Sequence, residues 1–316
     1  IQHTDLGRDS DLILVAPATA NTIGRVAAGL ADTLLVSLIM ASHTPVLFAP
    51  AMNVEMWNNP IVQRNLAALR ALGRYDVVPP ETGELACGVL GAGRLAPIPD
   101  IVAHARRALA PHDLAGRHVL VTAGPTREPI DPVRFVTNHS TGKMGYALAQ
   151  AAWERGARVT LVSGPVDLPA PVGLERVPVT TAAQMAAAVL DRAAAADALL
   201  MVAAVADYRP ATVATAKIKK TAEPRSLALE RTTDILAAVS ERRAATGRPG
   251  LVLGFAAETE DVEAHATAKL EQKGLDFILA NHVGQSEGGF GDDRNAGVLL
   301  GRSGFRVVFP LQDKAA

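Results

Sequence analysis

Between Val119 and Gly145 the chain reads VLVTAGPTREPIDPVRFVTNHSTGKMG. This stretch gathers Arg127, Asp131, Arg134, Asn138, His139, Ser140, Thr141 and Lys143. Cations, hydroxyls and an amide at this density can hold and polarise a phosphate. The stretch closes on Gly142 and Gly145, where an apolar helical spacing through Tyr146, Ala149 and Trp153 begins. A helix start presents oriented N–H groups to an anion. The polar part spans roughly twenty residues, whereas ordinary strand-to-helix loops run about 2–6 and longer ones tend to be functional or disordered. Because G-x-G-x-x-G is missing, the site is not marked as a common dinucleotide fingerprint.

Other polar residues fall just past apolar runs. Thr19 and Asn21 follow Asp11–Pro17, and Asn53 follows Val46–Pro50. Each can contact a ligand, or simply cap a helix or turn. Asp207 follows the run Ala198–Val205, and the basic segment Lys217-Ile218-Lys219-Lys220 comes soon after. Thr233, Asp234 and Ile235 open a helical stretch, and Phe255 ends another apolar run. Lys269 and Lys273 are spaced i, i+4 and share a helix face. The single cysteine, Cys87, sits in a glycine-rich segment; such a thiol is inert unless it is accessible and its surroundings favour the thiolate.

The elements that must carry these residues are short apolar runs alternating with helical spacing, which predicts parallel βαβ units. The expected fold is α/β: two Rossmann-like three-layer domains with mostly parallel sheets, bounded at 1–110 and 117–316 by a linker at 111–116. Strands are expected near 11–17, 46–50, 75–79, 118–122, 158–162, 198–205, 251–255 and 277–280. A hairpin from 298–300 and 307–309 closes the chain. A 316-residue chain is long enough for two domains. With 31 basic and 32 acidic residues, the net charge of −1 gives no electrostatic case for nucleic acid or an anionic membrane. No apolar run approaches the roughly 18 residues of a membrane span. One cysteine rules out an internal disulfide framework and fits a reducing, cytoplasmic setting.

Two sets of motifs carry a resemblance. Pro50-Ala51-Met52-Asn53-Val54-Glu55-Met56-Trp57 resembles the PxMNxxMW motif of the flavin-containing cysteine decarboxylases, with APATANT at 16–22 and Ala86-Cys87-Gly88 alongside. The second half resembles phosphopantothenoylcysteine synthetase through TAGPTREPIDPVRFVTNHSTGKMG, AAVADYRP, KIKK and GFAAET. The order of the two is similar to the bacterial bifunctional phosphopantothenate–cysteine ligase/phosphopantothenoylcysteine decarboxylases of coenzyme A biosynthesis.

The resemblance implies that CTP activates the carboxylate of 4′-phosphopantothenate as an acyl-cytidylate, which cysteine then converts to an amide. FMN would next oxidise the cysteinyl thiol transiently, CO2 would leave, and the electrons would return. It assigns Cys87 as proton donor, His3 as the active-site histidine, Asn53 to the substrate carboxylate, and Thr19 and Asn21 to FMN. It assigns Asn138 to turnover of the acyl-cytidylate, as a donor to the acyl oxygen, and Arg134 to orienting phosphopantothenate. Asp207, Lys217, Thr233, Asp234, Ile235, Phe255, Lys269 and Lys273 would contact CTP. Mg2+ would come with CTP, held mainly by phosphates and water, and no protein ligand is assigned to it. A homo-oligomer is expected, built from ligase dimers and decarboxylase trimers up to a dodecamer.

By the same resemblance the match is N-terminally incomplete: the family's first strand and Gly/Ser-rich FMN-phosphate loop would precede Ile1. Thr232-Thr233-Asp234-Ile235 also stands where the family usually has Asn-Pro-Asp-Ile. Alternatives are ligase activity alone, a non-catalytic regulatory relative of the flavin decarboxylases, or an NAD-dependent oxidoreductase, the last opposed by the missing fingerprint.

Overall fold

The computed structural model describes residues 2–84, 90–220, 224–258, 260–282 and 293–314, with backbone alone at 2–4, 84, 258 and 282. The chain forms two compact units, Ile1–His112 and Asp113–Ala316.

In the first unit, the strands Ile13–Ala18, Val46–Pro50 and Tyr75–Val77 form a parallel sheet in that order. Every residue of Val46–Pro50 is buried, so the strand shows a continuous apolar run rather than an alternating one. Its two faces enter different cores. Val46 and Phe48 pack with Ile23, Ile39 and Leu66, whereas Leu47 and Ala49 pack with Ala96 and Ile101. Helices Ala20–Ala28, Leu34–Ala41 and Pro60–Ala71 therefore cover one face and Ile98–Leu109 the other. Pro17, expected to end the first strand, lies inside it, where the register shifts between Val15 and Ala18. A bulge needs no N–H from the proline.

The second unit holds an eight-stranded sheet. Its order is Glu175–Pro178, Arg158–Ser163, His118–Ala123, Ala198–Met201, Leu251–Glu258, Phe277–His282, Arg294–Gly301 and Arg306–Asp313. The first six strands pair in parallel and the last two antiparallel. Helix Lys143–Glu154 lies on one face, where Tyr146 Oη meets Ser163 Oγ at 3.0 Å. Leu120, Val162 and Leu199 point the other way, into a core shared with helices Ala182–Ala193, Ile235–Thr246 and Val262–Gln272 through Met185, Val239 and Ala266.

From His118–Ala123 the chain crosses to one side through Lys143–Glu154 and later returns to the other through Ala182–Ala193. The strands His118–Ala123 and Ala198–Met201 are thus the point where strand order reverses. In open α/β sheets the crevice beyond the carboxyl ends of such strands is where ligands bind.

The long connection after Ala123 is not bare loop. Arg127–Pro129 and Phe135–Thr137 pair as an antiparallel hairpin. Asp131 closes its turn, with Oδ1 accepting the N–H groups of Val133 and Arg134, both at 2.8 Å. The fully buried Glu128 accepts the N–H of Ala182 at 2.8 Å and ties the hairpin to that helix start. Leu229–Arg231 pairs with Tyr208–Pro210 outside the main sheet. At the front of this unit Arg155 pairs with Asp113.

Candidate functional site

At the strand-order reversal, buried threonines stitch the two strand exits together. Thr122 Oγ1 accepts the N–H groups of Val202 and Ala203 at 3.0 and 3.1 Å. Thr126 Oγ1 accepts that of Ala206 at 3.0 Å, and Ala204 N donates to Gly124 O at 2.9 Å. Both threonines are fully buried, so the crevice floor is held by bonds inaccessible to water. Asn138 joins this network: its Nδ2 donates to Val205 O at 3.0 Å and reaches Ala204 O at 3.4 Å. Two carbonyls there require the NH2 side of the amide, which leaves Oδ1 for a ligand. The donor expected to hold an acyl oxygen is therefore engaged with backbone here.

Gly142 caps the helix Lys143–Glu154 with φ 77°, a left-handed conformation that favours glycine. Gly145 lets the first helical turn sit on the strand, since a Cβ there would come within 2.6 Å of Ala123 Cβ and 2.8 Å of Thr122 O. This helix start borders a cleft of about 440 Å³ with Asn138, Ser140, Lys143 and Asp207 on its wall. An adjoining cleft of about 450 Å³ is lined by Asp207, Thr233, Asp234, Ile235, Lys269 and Lys273. The two share Ala203, Val205, Asp207, Phe255 and Lys269.

Seven of the residues anticipated around CTP thus come together from separate elements. Asp234 caps helix Ile235–Thr246 through Ala237 N at 3.0 Å and also pairs with Lys273. Burial works against its charge, but the Lys273 ammonium, the Ala237 N–H and nearby Lys269 hold its carboxyl below the usual range. Lys269 Nζ donates to Phe255 O at 3.1 Å. Both lysines are pre-positioned at the cleft by these contacts.

Lys217 and Arg134 lie elsewhere. Lys217 is exposed and lines neither cleft. Arg134 pairs with the buried Asp131 at 2.9 Å and donates to Ile218 O at 3.1 Å. Asp131 Oδ2 also accepts the N–H of Ile218 at 3.1 Å. Together they pin the basic segment to the hairpin. Burial opposes the charge of Asp131, yet the N–H groups of Val133, Ile218 and Arg134 and the guanidinium outweigh it and lower its pKa. A carboxyl depressed in the fold contributes fully above its unfolded value, about 3.9, and loses that contribution as pH falls through the folded value. Thermal unfolding of wild type and Asp131→Asn should therefore differ near neutrality and converge under acid. A gap that persists unchanged into strong acid would show that the charge plays no part.

The sequence reading gave no role to Thr122, Thr126, Tyr208, Asn281 or Asn295. Asn281 and Asn295 line the first cleft, and among the described residues the buried Oδ1 of each has no hydrogen-bond partner. A polar residue ending an apolar run was the available signal for Asn281. The threonines lie inside or beside such a run and give none.

In the first unit, Thr19 Oγ1 accepts Thr22 N at 3.2 Å and Asn53 Oδ1 accepts Glu55 N at 2.8 Å. Asn21 Oδ1 accepts from Arg25 Nε at 3.2 Å. Ala18 and Pro50 are paired neighbours, so Thr19 and Asn53 lie on one sheet rim. The hairpin Glu81–Glu84/Leu90–Arg94 docks there: Met52 N donates to Gly93 O at 2.9 Å. A Cβ on Gly91 would run into Val54, so only glycine allows that approach. Cys87 lies outside the described residues, as does the side chain of His3, whose backbone belongs to the helix Gln2–Arg8.

Residues 1–109 match the family described as Flavoprotein, and residues 114–316 match the DNA/pantothenate metabolism flavoprotein C-terminal domain. The class is therefore a flavoprotein domain joined to a pantothenate-metabolism domain. The coenzyme A biosynthesis bifunctional protein CoaBC of Bacillus subtilis is 48% identical over 318 residues, spanning 99% of this chain and 77% of that protein. The protein of the same name from Mycobacterium tuberculosis is 49% identical over 317 residues, spanning 96% and 75%. A crystal structure of the C-terminal domain of a CoaBC protein is 41% identical, with a TM-score of 0.53, covering 64% of this chain and 90% of that one. The chain belongs to the family of coenzyme A biosynthesis bifunctional proteins.

Proposed function

We propose that this chain joins cysteine to 4′-phosphopantothenate at the expense of CTP and then decarboxylates the product to 4′-phosphopantetheine. The observation that carries the first step is the convergence of Asp207, Thr233, Asp234, Ile235, Phe255, Lys269 and Lys273 on one cleft that continues to Asn138 and a helix start. Phe255 and Asp207 are suited to a base and ribose. The lysines and the helix start are suited to a triphosphate. In the reaction, a carboxylate oxygen of phosphopantothenate attacks the α-phosphorus of CTP and pyrophosphate leaves. The amine of cysteine then attacks the acyl carbon, and CMP leaves with the electron pair of the C–O bond. Arg134 and Lys217 are proposed to bear on the substrates through the basic segment that Asp131 pins.

Among the described residues no group of three or more His, Cys, Asp or Glu could hold a metal ion. A cleft with lysines and helix N–H groups fits Mg2+ that arrives on the nucleotide's phosphates.

For the second step, the first unit's rim fits a flavin edge: Thr19, Asn21 and Asn53 stand past two paired strand ends under a glycine-bearing hairpin. FMN, when bound, supplies the two-electron chemistry that lets CO2 leave. Asn53 would hold the substrate carboxylate, with Cys87 as proton donor and His3 beside it. A homo-oligomer is part of this proposal, and light scattering tests it. Among the described residues no helix is long and apolar enough to cross a membrane.

The direct test incubates the protein with phosphopantothenate, cysteine and either CTP or ATP, then repeats the assay with added FMN. Amide and CMP with CTP, followed by CO2 with FMN, are expected. CMP without CO2 would restrict the chain to ligation. Neither product would refute the proposal.

A further inference from the structure

A third cleft of the second unit, about 480 Å³, lies across the His139–Thr141 loop from the helix-start cleft; Asn138, the loop itself and Lys143 line both. Arg127, Phe135, Val166 and Asp167 contribute to its wall. The Arg127 guanidinium carbon lies 4.8 Å from the centroid of the Phe135 ring. Its backbone is held by Arg127 N donating to Thr180 O at 2.8 Å, and the hairpin end by Thr137 Oγ1 donating to Thr126 O at 2.7 Å. Many arginines of this unit are consumed by carboxylates, as Arg155 is by Asp113, Arg209 by Glu230 and Arg306 by Glu263. Among the described residues Arg127 has no such partner, and Asp167, exposed on the facing loop, has no cation. One cleft thus presents an unclaimed guanidinium, an unclaimed carboxylate and a small apolar wall.

We propose that this cleft is the docking site for the amino-acid substrate, with Arg127 taking its carboxylate and Asp167 its ammonium. The proposal rests on the ligase reading above and adds where the nucleophile waits. A small zwitterion matches the two opposite charges, and Phe135 and Val166 offer contact to a short apolar side chain. A planar guanidinium stacked on a ring keeps its fork free for two hydrogen bonds to a carboxylate. Asn138 lies between this cleft and the nucleotide cleft, so an amine held here borders the acyl group. To react, the ammonium gives up one proton. Its nitrogen forms the C–N bond as the acyl C–O bond breaks, CMP departs with that electron pair, and the nitrogen sheds a second proton.

Comparing cysteine with cysteamine, which lacks the carboxylate, tests the assignment. Arg127→Met should lower kcat/KM for cysteine about 10–100-fold, the range for a lost charge-assisted hydrogen bond, and leave that for cysteamine within about twofold. Arg127→Lys should fall between. Asp167→Asn should weaken both amines alike, because both carry the ammonium. A loss shared equally by cysteine and cysteamine in Arg127→Met would overturn the site and make Arg127 a prop for Phe135. So would an Asp167→Asn protein that uses both amines like wild type. A wild-type protein giving no burst of pyrophosphate from CTP and phosphopantothenate would instead sink the ligase reading, a result separable from these.

Discussion

Asn138→Ala is expected to leave pyrophosphate formation measurable while amide formation falls about 10–100-fold, the usual loss for one hydrogen bond to a charged group. In the proposed reaction pyrophosphate forms at phosphorus, where the lysines and the helix start would act, and the amide forms at the acyl carbon, which the proposal sets beside Asn138. Its NH2 is spent on Val205 O and Ala204 O, so the free carbonyl oxygen is what faces a ligand. An oxygen acceptor suits an incoming amine, whose proton it can hold as the C–N bond forms. Asn138→Asp separates orientation from anchoring: a carboxylate keeps an acceptor but cannot donate to two backbone carbonyls, and would be pushed away from them. Its amide formation should therefore be lost as well. Rapid-quench measurement of pyrophosphate and amide in the same reaction checks the split. If both products disappear together in Asn138→Ala, the residue serves only to stitch the two strand exits.

The second large effect is expected at Gly145. Any side chain there meets backbone, with Thr122 O at 2.8 Å and Ala123 Cβ at 2.6 Å from the position of the new Cβ. Neither the strand nor its carbonyl can give way as a flexible side chain would, so helix Lys143–Glu154 must lift. Overpacking of this kind costs about 1–3 kcal/mol, and for a domain of this size each kcal/mol lowers Tm by about 2–4 °C. Function should suffer more than stability. On the proposed reading, lifting the helix start would withdraw its N–H groups from the phosphates of CTP, and a displacement near 1 Å can cost about 100-fold in rate. Gly145→Val should exceed Gly145→Ala in both measures. Calorimetry beside the KM for CTP reads both, and a Gly145→Ala protein with wild-type Tm and KM would show that the helix is not seated as described.

What the sequence determined by itself was local. Continuous apolar runs such as Val46–Pro50 and His118–Ala123 marked buried strands, because burial on both faces leaves no alternation. Thr181 as a helix cap was readable, since capping acts within three residues, and it forms a complete capping box with Gln184. So was the habit of polar residues to stand just past strand ends, which put Asp207, Asn53 and Thr19 among the candidates.

The tertiary structure decided which of those groups are free. Lys273 is engaged by Asp234 across the cleft, Arg134 by Asp131, and the Asn138 NH2 by carbonyls after a strand more than sixty residues on. The hairpin inside the long connection was hidden by its polar composition, because what holds it is a buried Glu128 bonded to a helix start 54 residues away. Thr122 and Thr126 look like ordinary strand and loop residues until the chain returns 80 residues later with N–H groups to accept. Periodicity and capping report forces that act over a few residues. Which donor meets which acceptor is set only when strands far apart in sequence become neighbours, and at this site that pairing determines what remains for the ligand.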